Sequence, residues 1–591
     1  MASSTTTTSN NNNTTSSPSI TSTLRRSRST GTISRLASLV SPTTVKLETK
    51  STPQMQKEER LKSCSIFILV IISVLIRYTV ALGPHSGENT PPMYGDYEAQ
   101  RHWMEITINT VPEEWYKNTT NNDLNYWGLD YPPGSAYFAY FWGTIARFIQ
   151  PDLVELYQSR GIETPAAKVF MRLSVIAADL IFYIPIALLI AFKLTLYKSK
   201  QWPDKFEMAT FLLLNPAILL IDHGHFQYNG VSLGLCMAAI LAYDKNYPNL
   251  CAMFFTLSLN FKQMNLYLAL PFFFTLLSYS FWGGNGNMRR TKRVSLFILS
   301  SPSSLLRRLN ILFQIAMTTI ITFIIHWLPL CSNIFFQQNK NKDNTCSDTS
   351  SSSSSSQCTT TTGEMMVVTN HDKMIQCKDT LIQMLIRLFP FNRGLFEDKV
   401  ANIWCSIDPI LKLKRRERLI PYLPMIAGIC TLILSLPSAY ALLRRAPTTR
   451  TFLHALSSTG LAFFLCSFQV HEKSILVPLL PIALLAPDGR SKVGLFVTVS
   501  VFSLYPLLEK DLLGVQYLVV FTAWIVLNHV VQGGYISRLI LIGMVLIHLC
   551  PYVFGIIDKL PHLWILLNCI YSCGLFILFW IWVTRRMLYE C

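Results

Sequence analysis

Three features of the sequence predict an all-α polytopic membrane protein. Apolar runs long enough to cross a bilayer recur along the chain, charged residues are scarce, and the basic ones gather between the runs. A crossing helix needs about 20 apolar residues. Only 14% of the 591 residues are charged and 50% are hydrophobic, whereas a soluble domain carries about 25% charged residues. The net charge of +17 points away from nucleic acid as a partner, because Lys and Arg placed between apolar runs follow the positive-inside bias. Fourteen cysteines lie scattered without CxxC or Cys/His metal spacing, so neither zinc nor a dense disulfide framework is indicated.

Residues 1–62 are rich in Ser, Thr and Asn, hold nine Lys/Arg against three Asp/Glu, and read as a disordered cytosolic tail. The first apolar run, 64–83, contains Arg77 and lies too far from the N-terminus for a cleaved signal peptide, so a retained signal anchor is expected. The loop 84–133 reverses the balance to two Lys/Arg against eight Asp/Glu. A basic tail opposite a base-poor loop puts the N-terminus inside and the loop in the lumen. The sequon Asn118-Thr119-Thr120 in that loop agrees.

Further spans are expected near 170–197, 206–222, 224–243, 247–259, 263–282, 309–330, 419–443, 452–468, 475–487, 493–508, 512–530, 536–554 and 562–583. The segment 134–149 (GSAYFAYFWGTIARFI) is read as a lumenal or re-entrant helix. Counting it as a crossing would export Lys198, Lys200 and Lys205, and with them Arg289, Arg290, Lys292 and Arg293. About fourteen transmembrane helices result, with both termini cytosolic. The chain then divides into an N-terminal membrane module (63–338), a low-complexity lumenal insertion (339–377), and a C-terminal module (378–591) opening with the lumenal segment FPFNRGLFEDK. Cys346, Cys358, Cys377 and Cys405 would share an oxidising lumen, with no pairing readable.

This topology collects several polar motifs on one face. In the first lumenal loop, GDYEAQRHWMEIT carries Asp96 and WGLDYPP carries Asp130. One carboxylate suits a general base and the other a partner for sugar hydroxyls; a solvated acidic loop is the plain alternative. IDHGHFQYNG places Asp222, His223, His225, Gln227 and Asn229 between two apolar runs. Ionisable residues there are functional candidates, although a polar hairpin would read the same, and two histidines without a third ligand make a weak metal site. Lys262 in NFKQM interrupts an apolar stretch and either serves the site or snorkels. FQVHEKSIL offers His471 and Lys473, which can hold a phosphate and stabilise charge on a leaving group, or form an ordinary charged turn. Arg393 in FPFNRGLFEDK is a further phosphate partner or part of an amphipathic surface helix. No P-loop, Rossmann fingerprint, HExxH or DxD-type pair appears. A lipid-phosphate sugar, whose chain enters sideways between helices, therefore suits a lumenal site better than a sugar nucleotide.

Together, GDYEAQRHWMEIT, WGLDYPP, LIDHGHFQYNG, NFKQMNLY, RLFPFNRGLFEDKVANIWC and FQVHEKSIL resemble the dolichyl-phosphate-glucose-dependent glucosyltransferases of the endoplasmic reticulum, from about 64 to 583. The stretch GDYEAQRHW is nearer the branch that adds the first glucose to the nine-mannose, dolichyl-pyrophosphate-linked oligosaccharide than the branch that adds the second. The resemblance implies a GT-C membrane fold and inverting transfer from β-linked dolichyl phosphate glucose to give an α-1,3 linkage. It implies Asp96 as the base that deprotonates the mannose 3-hydroxyl, Asp130 as a residue arranging the site, and His471 as a contact to the donor phosphate. Lys473 and Arg393 take similar electrostatic roles, and His225, Gln227, Asn229 and Lys262 are further candidate substrate-binding residues. Phosphate is a good leaving group, so the paired carboxylates of a glycosidase are not required, and neither metal nor cofactor is expected. Competing readings are the second glucosyltransferase of the pathway, a transporter or lipid flippase, and a non-catalytic subunit of a glycosylation complex.

Overall fold

A computed structural model describes residues 53–197, 200–282, 302–331, 370–389, 399–555, 560 and 562–590. Arg393, most of the N-terminal tail and most of the 339–377 tract lie outside these residues. The described residues are helical, with no strand among them. They begin with α1 (Pro53–Ala81), α2 (Asp96–Asn109) and α3 (Pro133–Ile149). The next five are α4 (Pro165–Lys193), α5 (Trp202–Phe226), α6 (Asn229–Asp244), α7 (Pro248–Phe261) and α8 (Gln263–Trp282). Then come α9 (Pro302–Trp327), α10 (Asn370–Leu388), α11 (Ile403–Leu411), α12 (Leu423–Arg444) and α13 (Thr449–Cys466). The chain closes with α14 (Leu476–Ala483), α15 (Arg490–Ser503), α16 (Tyr505–Lys510), α17 (Gly514–Leu527), α18 (Tyr535–Phe554) and α19 (Leu563–Glu590).

Eight of the described helices are long and apolar enough to cross a membrane: α1, α4, α5, α8, a stretch from α9 to Cys331, a stretch ending in α12, α18 and α19. Other expected spans correspond to shorter apolar helices, such as α6 and α17. Lipid-facing positions show as exposed apolar side chains, for example Phe67 on α1 at 66% and Val553 on α18 at 70%.

The chain divides into two units, Met1–Lys62 and Ser63–Cys591. In the first, the described residues from Pro53 onward are helical, so the expected disordered tail ends earlier than residue 62. Gln, Glu, Lys and Leu are good helix formers, and Lys62 pairs with Glu58 one turn away at 2.5 Å.

The second unit has two main apolar cores. The larger is built from helices α4 to α8 and α12 to α19. The other joins α2, α3 and the first half of α4 to Leu330, Met384 and Leu388. The segment 134–149 forms α3, which packs along α2 and is not among the eight span-length helices. Two glycines permit its close approach. A Cβ on Gly143 would sit 2.9 Å from the Met104 carbonyl oxygen, and one on Gly134 2.6 Å from that of Asn260.

Arg77 ties α1 into the bundle. Its side chain is fully buried, its Nε donates to Asp179 Oδ2 on α4 at 2.7 Å, and Nη1 donates to the Leu213 carbonyl on α5 at 3.0 Å. A disulfide joins Cys331, just past α9, to Cys377 on α10. Cys331 sits at the end of an apolar span, which hid it as a partner of Cys377. The bridge brings α10 against the WGLDYPP loop, where Arg387 Nη2 donates to the Gly128 carbonyl at 2.7 Å.

Candidate active site

The WGLDYPP loop is held by donors from four separate places. Trp103 Nε1 on α2 donates to the Trp127 carbonyl at 2.8 Å, and Arg387 serves Gly128. Gln263 Nε2 donates to the Asp130 carbonyl at 2.9 Å, and the Tyr116 hydroxyl to that of Tyr131 at 2.7 Å. Saturating backbone carbonyls in this way fixes an irregular segment without regular structure. Asp130 is thereby kept beside Tyr131. Burial, with the charges of Asp130 and Asp96 adding to it, pushes the Tyr131 phenol well above its ordinary pKa.

A second irregular segment faces it. From Leu219 to Phe226 the chain winds in wider π-helical turns, and Phe226 then takes φ +92°. A left-handed φ at a bulky residue is strained, and such strain persists where packing holds it. Here the Phe226 ring lies 4.9 Å from Tyr97 and 5.6 Å from Tyr228. Arg172 on α4 donates to the carbonyls of His223 and Gly224, at 2.6 and 2.9 Å, which the widened helix leaves open. Arg172 also reaches the Pro84 carbonyl at 2.8 Å, tying this segment to the start of the loop between α1 and α2. The consequence is that His225 and Gln227, on either side of Phe226, aim at the same atom.

That atom is Asp96 Oδ2, on the first residue of α2. It receives hydrogen bonds from Lys473 Nζ and Gln227 Nε2, and faces His225 Nε2 at 3.1 Å. Asp96 Oδ1 takes no hydrogen bond from the described residues, and the side chain is 24% exposed. Burial pushes the Asp96 carboxyl up, but the Lys473 ammonium and His225 outweigh it and hold the group well below the usual carboxylate range. The N-terminus of α2 favours the same charge.

A further layer fixes the orientations. Gln227 Oε1 accepts from Lys262 Nζ at 2.8 Å and from the Tyr131 hydroxyl at 3.3 Å, so its amide nitrogen must turn toward Asp96. Lys262 also donates to Asn229 Oδ1 at 2.5 Å, and Asn229 donates to Asp222 Oδ1 at 2.6 Å. Burial, reinforced by the charge of Lys473, pushes Lys262 down to about 7. On the far side of His225, Nδ1 hydrogen-bonds Asp511 Oδ2.

Of the sequence-derived candidates, Asp96, His225, Gln227 and Lys473 meet directly, Lys262 and Asn229 support them, and Asp130 lies beside Tyr131. His471 heads the short turn that carries Lys473, its carbonyl accepting from Ser474 N at 3.0 Å. Arg393 lies outside the described residues.

Asp511, Arg172 and Arg387 were not singled out by sequence reasoning. The first two had a signal: Asp511 sits in the Glu509-Lys510-Asp511 break that the expected topology puts on the same face, and Arg172 interrupts an apolar run. The described residues contain one His/Asp/Glu grouping close enough to hold a metal ion: His454, Asp488 and Glu590. None of its members contacts the Asp96 cluster, and Arg450 already pairs with Asp488 there at 2.9 Å.

Comparison with known proteins matches residues 68–342 and 359–582 to the ALG6, ALG8 glycosyltransferase family. The interruption falls within the Ser-rich tract. A Dictyostelium discoideum protein, named a probable dolichyl pyrophosphate Man9GlcNAc2 alpha-1,3-glucosyltransferase, is 37% identical over 88% of this chain and 95% of its own. Rattus norvegicus and Schizosaccharomyces pombe proteins, the first given that name outright and the second as probable, are 35% and 36% identical over 88% of this chain, and over 96% and 91% of their own lengths. The chain belongs to the ALG6, ALG8 glycosyltransferase family.

Proposed function

We propose that this protein transfers glucose from dolichyl phosphate glucose to the terminal mannose of the dolichyl-pyrophosphate-linked Man9GlcNAc2 oligosaccharide, forming an α-1,3 linkage with inversion. The names of the relatives give the acceptor and the linkage. The observation that carries the mechanism is the half-occupied carboxylate of Asp96: Oδ2 is anchored by Lys473, Gln227 and His225, and Oδ1 takes no hydrogen bond from the described residues. An anchored carboxylate with one free oxygen is suited to receive a proton from a hydroxyl in a fixed direction.

In this reading the mannose 3-hydroxyl gives its proton to Asp96 Oδ1 as its oxygen attacks C1 of the donor glucose. The C1–O bond to phosphate breaks on the opposite face, and its electron pair leaves with dolichyl phosphate. Phosphate is a stable leaving group and needs no general acid, so cationic side chains suffice to stabilise it. Lys473 serves there, with His471 in the same turn. Lys473 is shared: as the donor phosphate draws its ammonium, Asp96 loses part of its counter-charge and becomes a stronger base. Asp130, held beside Tyr131, binds or orients sugar hydroxyls, and Arg393 is a further phosphate partner.

The site faces the lumen of the endoplasmic reticulum in this proposal, on a GT-C scaffold of about fourteen crossings with cytosolic termini. The Cys331–Cys377 disulfide supports that orientation, since disulfides persist in oxidising compartments. The deciding experiment supplies the purified protein in lipid with dolichyl phosphate glucose and either the unglucosylated or the monoglucosylated lipid-linked oligosaccharide. The expected product is the unglucosylated acceptor extended by one α-1,3-glucose. Extension of the monoglucosylated acceptor alone would replace the proposal by the second glucosylation step.

A further inference from the structure

Asp511 is a buried carboxylate, 3% exposed, with no direct contact to Asp96. It lies in the turn between α16 and α17, which Leu512 closes with φ +58°. Its Oδ2 meets Nδ1 of His225, a residue 286 positions away in sequence. The other ring nitrogen, Nε2, stands 3.1 Å from Asp96 Oδ2 and 3.2 Å from Lys473 Nζ. The imidazole is thus clamped between two carboxylates at opposite nitrogens, and the His225 carbonyl accepts from Ser86 N at 3.0 Å.

A carboxylate can only accept, so Asp511 requires the proton on Nδ1. Nε2 is then left with two states. As a lone pair it accepts from Lys473; as an N–H it donates to Asp96 Oδ2. If the ring flipped to the other tautomer, Nε2 would always carry a proton and could never accept from Lys473. The charged groups facing this ring are Asp96 from α2, Lys473 from the turn before α14 and Asp511 from the α16–α17 turn, and the charge of Arg172 on α4 reaches Asp511.

We infer that Asp511 is a positioning residue for the transfer reaction: by fixing the tautomer and plane of His225, it sets the direction in which Asp96 presents its open oxygen and keeps Lys473 available to the donor phosphate. The inference rests on the reading of Asp96 as the base. It assigns a role in turnover to a carboxylate that never meets substrate, through a histidine that bridges two halves of the chain.

The test uses the full-length protein in lipid, dolichyl phosphate glucose and the unglucosylated lipid-linked oligosaccharide. Asp511→Asn keeps the shape but presents an amide that can donate to Nδ1. It should lower kcat by roughly tenfold to a hundredfold, by analogy with the loss of the outer hydrogen-bond partner of a metal-bound histidine, with acceptor KM changed less than about twofold and the acid limb of the pH–rate profile displaced. Asp511→Glu should recover much of the loss. An unchanged kcat, a change confined to KM, or a reduced kcat with an unmoved pH profile would each overturn the assignment.

A double-mutant cycle keeps the test decisive if Asp511→Asn folds poorly. Because Asp511 acts through His225, the double variant Asp511→Asn/His225→Gln should be no slower per folded molecule than His225→Gln alone, and additive losses would overturn the inference. Asp96→Asn run in parallel separates the two levels. Activity surviving in that variant removes the base assignment itself, whereas a dead Asp96→Asn with a normal Asp511→Asn removes only the role of Asp511.

Discussion

Asp96 and Arg101 stand on the same helix, α2, and put buried charge to opposite uses. All five donor hydrogens of the Arg101 guanidinium are engaged. Nε and Nη2 hold Glu98 at 2.7 and 2.6 Å, Nη2 holds Glu105 at 2.8 Å, and Nη1 reaches the Leu153 carbonyl at 3.0 Å and Ser159 Oγ at 2.6 Å. The surrounding acids are equally committed. Glu98 accepts from the Tyr126 hydroxyl at 2.7 Å and Glu105 from the Tyr157 backbone at 2.8 Å. Asp96, five residues earlier, is held on one oxygen and open on the other. A closed cluster fixes the loop that a reaction needs; a half-open one leaves a valence for substrate. The count of charges alone does not separate the two, since both are dense and ion-paired.

The sharpest way to break this comparison is to neutralise each group in turn. Asp96→Asn keeps the volume and removes the proposed base, so turnover should fall on the order of a thousandfold or more, as for a residue acting mainly in the transition state. Its thermal unfolding should stay close to that of the parent. Both quantities are read on the same preparation, by product formation and by a melting curve in lipid or detergent. Near-normal turnover would show that another group takes the proton.

Arg101→Met should do the reverse. Removing one partner of a buried ion pair strands the other, at a cost of about 3–5 kcal/mol, and here two glutamates lose their counter-charge. The expected result is a strongly lowered melting temperature and poor yield, with the folded fraction still turning over within about threefold of the parent rate. A folded, stable and inactive Arg101→Met would move Arg101 from scaffold to chemistry.

How much of this was visible in the sequence follows from what each feature depends on. Helix and membrane character came from the composition and recurrence of apolar runs, which are local. The convergence of residues 96, 225, 227, 262 and 473 was expected from a topology in which alternating crossings bring every second loop to the same face. Individual contacts did not follow. Nothing local says that the carbonyls opened by the widened turn at 219–226 will be capped by Arg172, or that Phe226 will take a left-handed conformation to bring His225 and Gln227 onto one oxygen. Cys331 was hidden by lying at the end of an apolar run, and its bridge to Cys377 closes a loop of low complexity that sequence patterns cannot thread. Arg387 acts through a backbone carbonyl at Gly128, a contact that leaves no mark on residue type. The GDYEAQRHWMEIT stretch was legible as a knot of charge, and the structure divides it between Asp96 and the closed cluster behind it.

The smallest effect concerns how the two clusters answer to pH. In Glu105, burial raises the pKa, but His102 and Arg101 more than reverse this and bring it down to about 2. A depressed carboxylate contributes stability above its ordinary pKa and loses it as pH falls through the lowered value. The closed cluster should therefore stay charged and hold the loop through the whole range in which activity is measured. Asp96 is likewise depressed, but by a lysine that the proposed reaction borrows. With Lys473 present, the ionisation of Asp96 should leave the rate level as pH falls from 7 to 5. In Lys473→Met the burial of Asp96 is no longer opposed by that ammonium, so its pKa rises and the acid limb of the profile moves toward neutrality, beyond whatever uniform loss the missing phosphate contact causes. The shape of kcat/KM against pH, normalised to each enzyme's maximum, reads this directly. A profile with an unmoved acid limb would mean that Lys473 does not set the charge of Asp96, and that the half-open carboxylate owes its state to His225 and Gln227 alone.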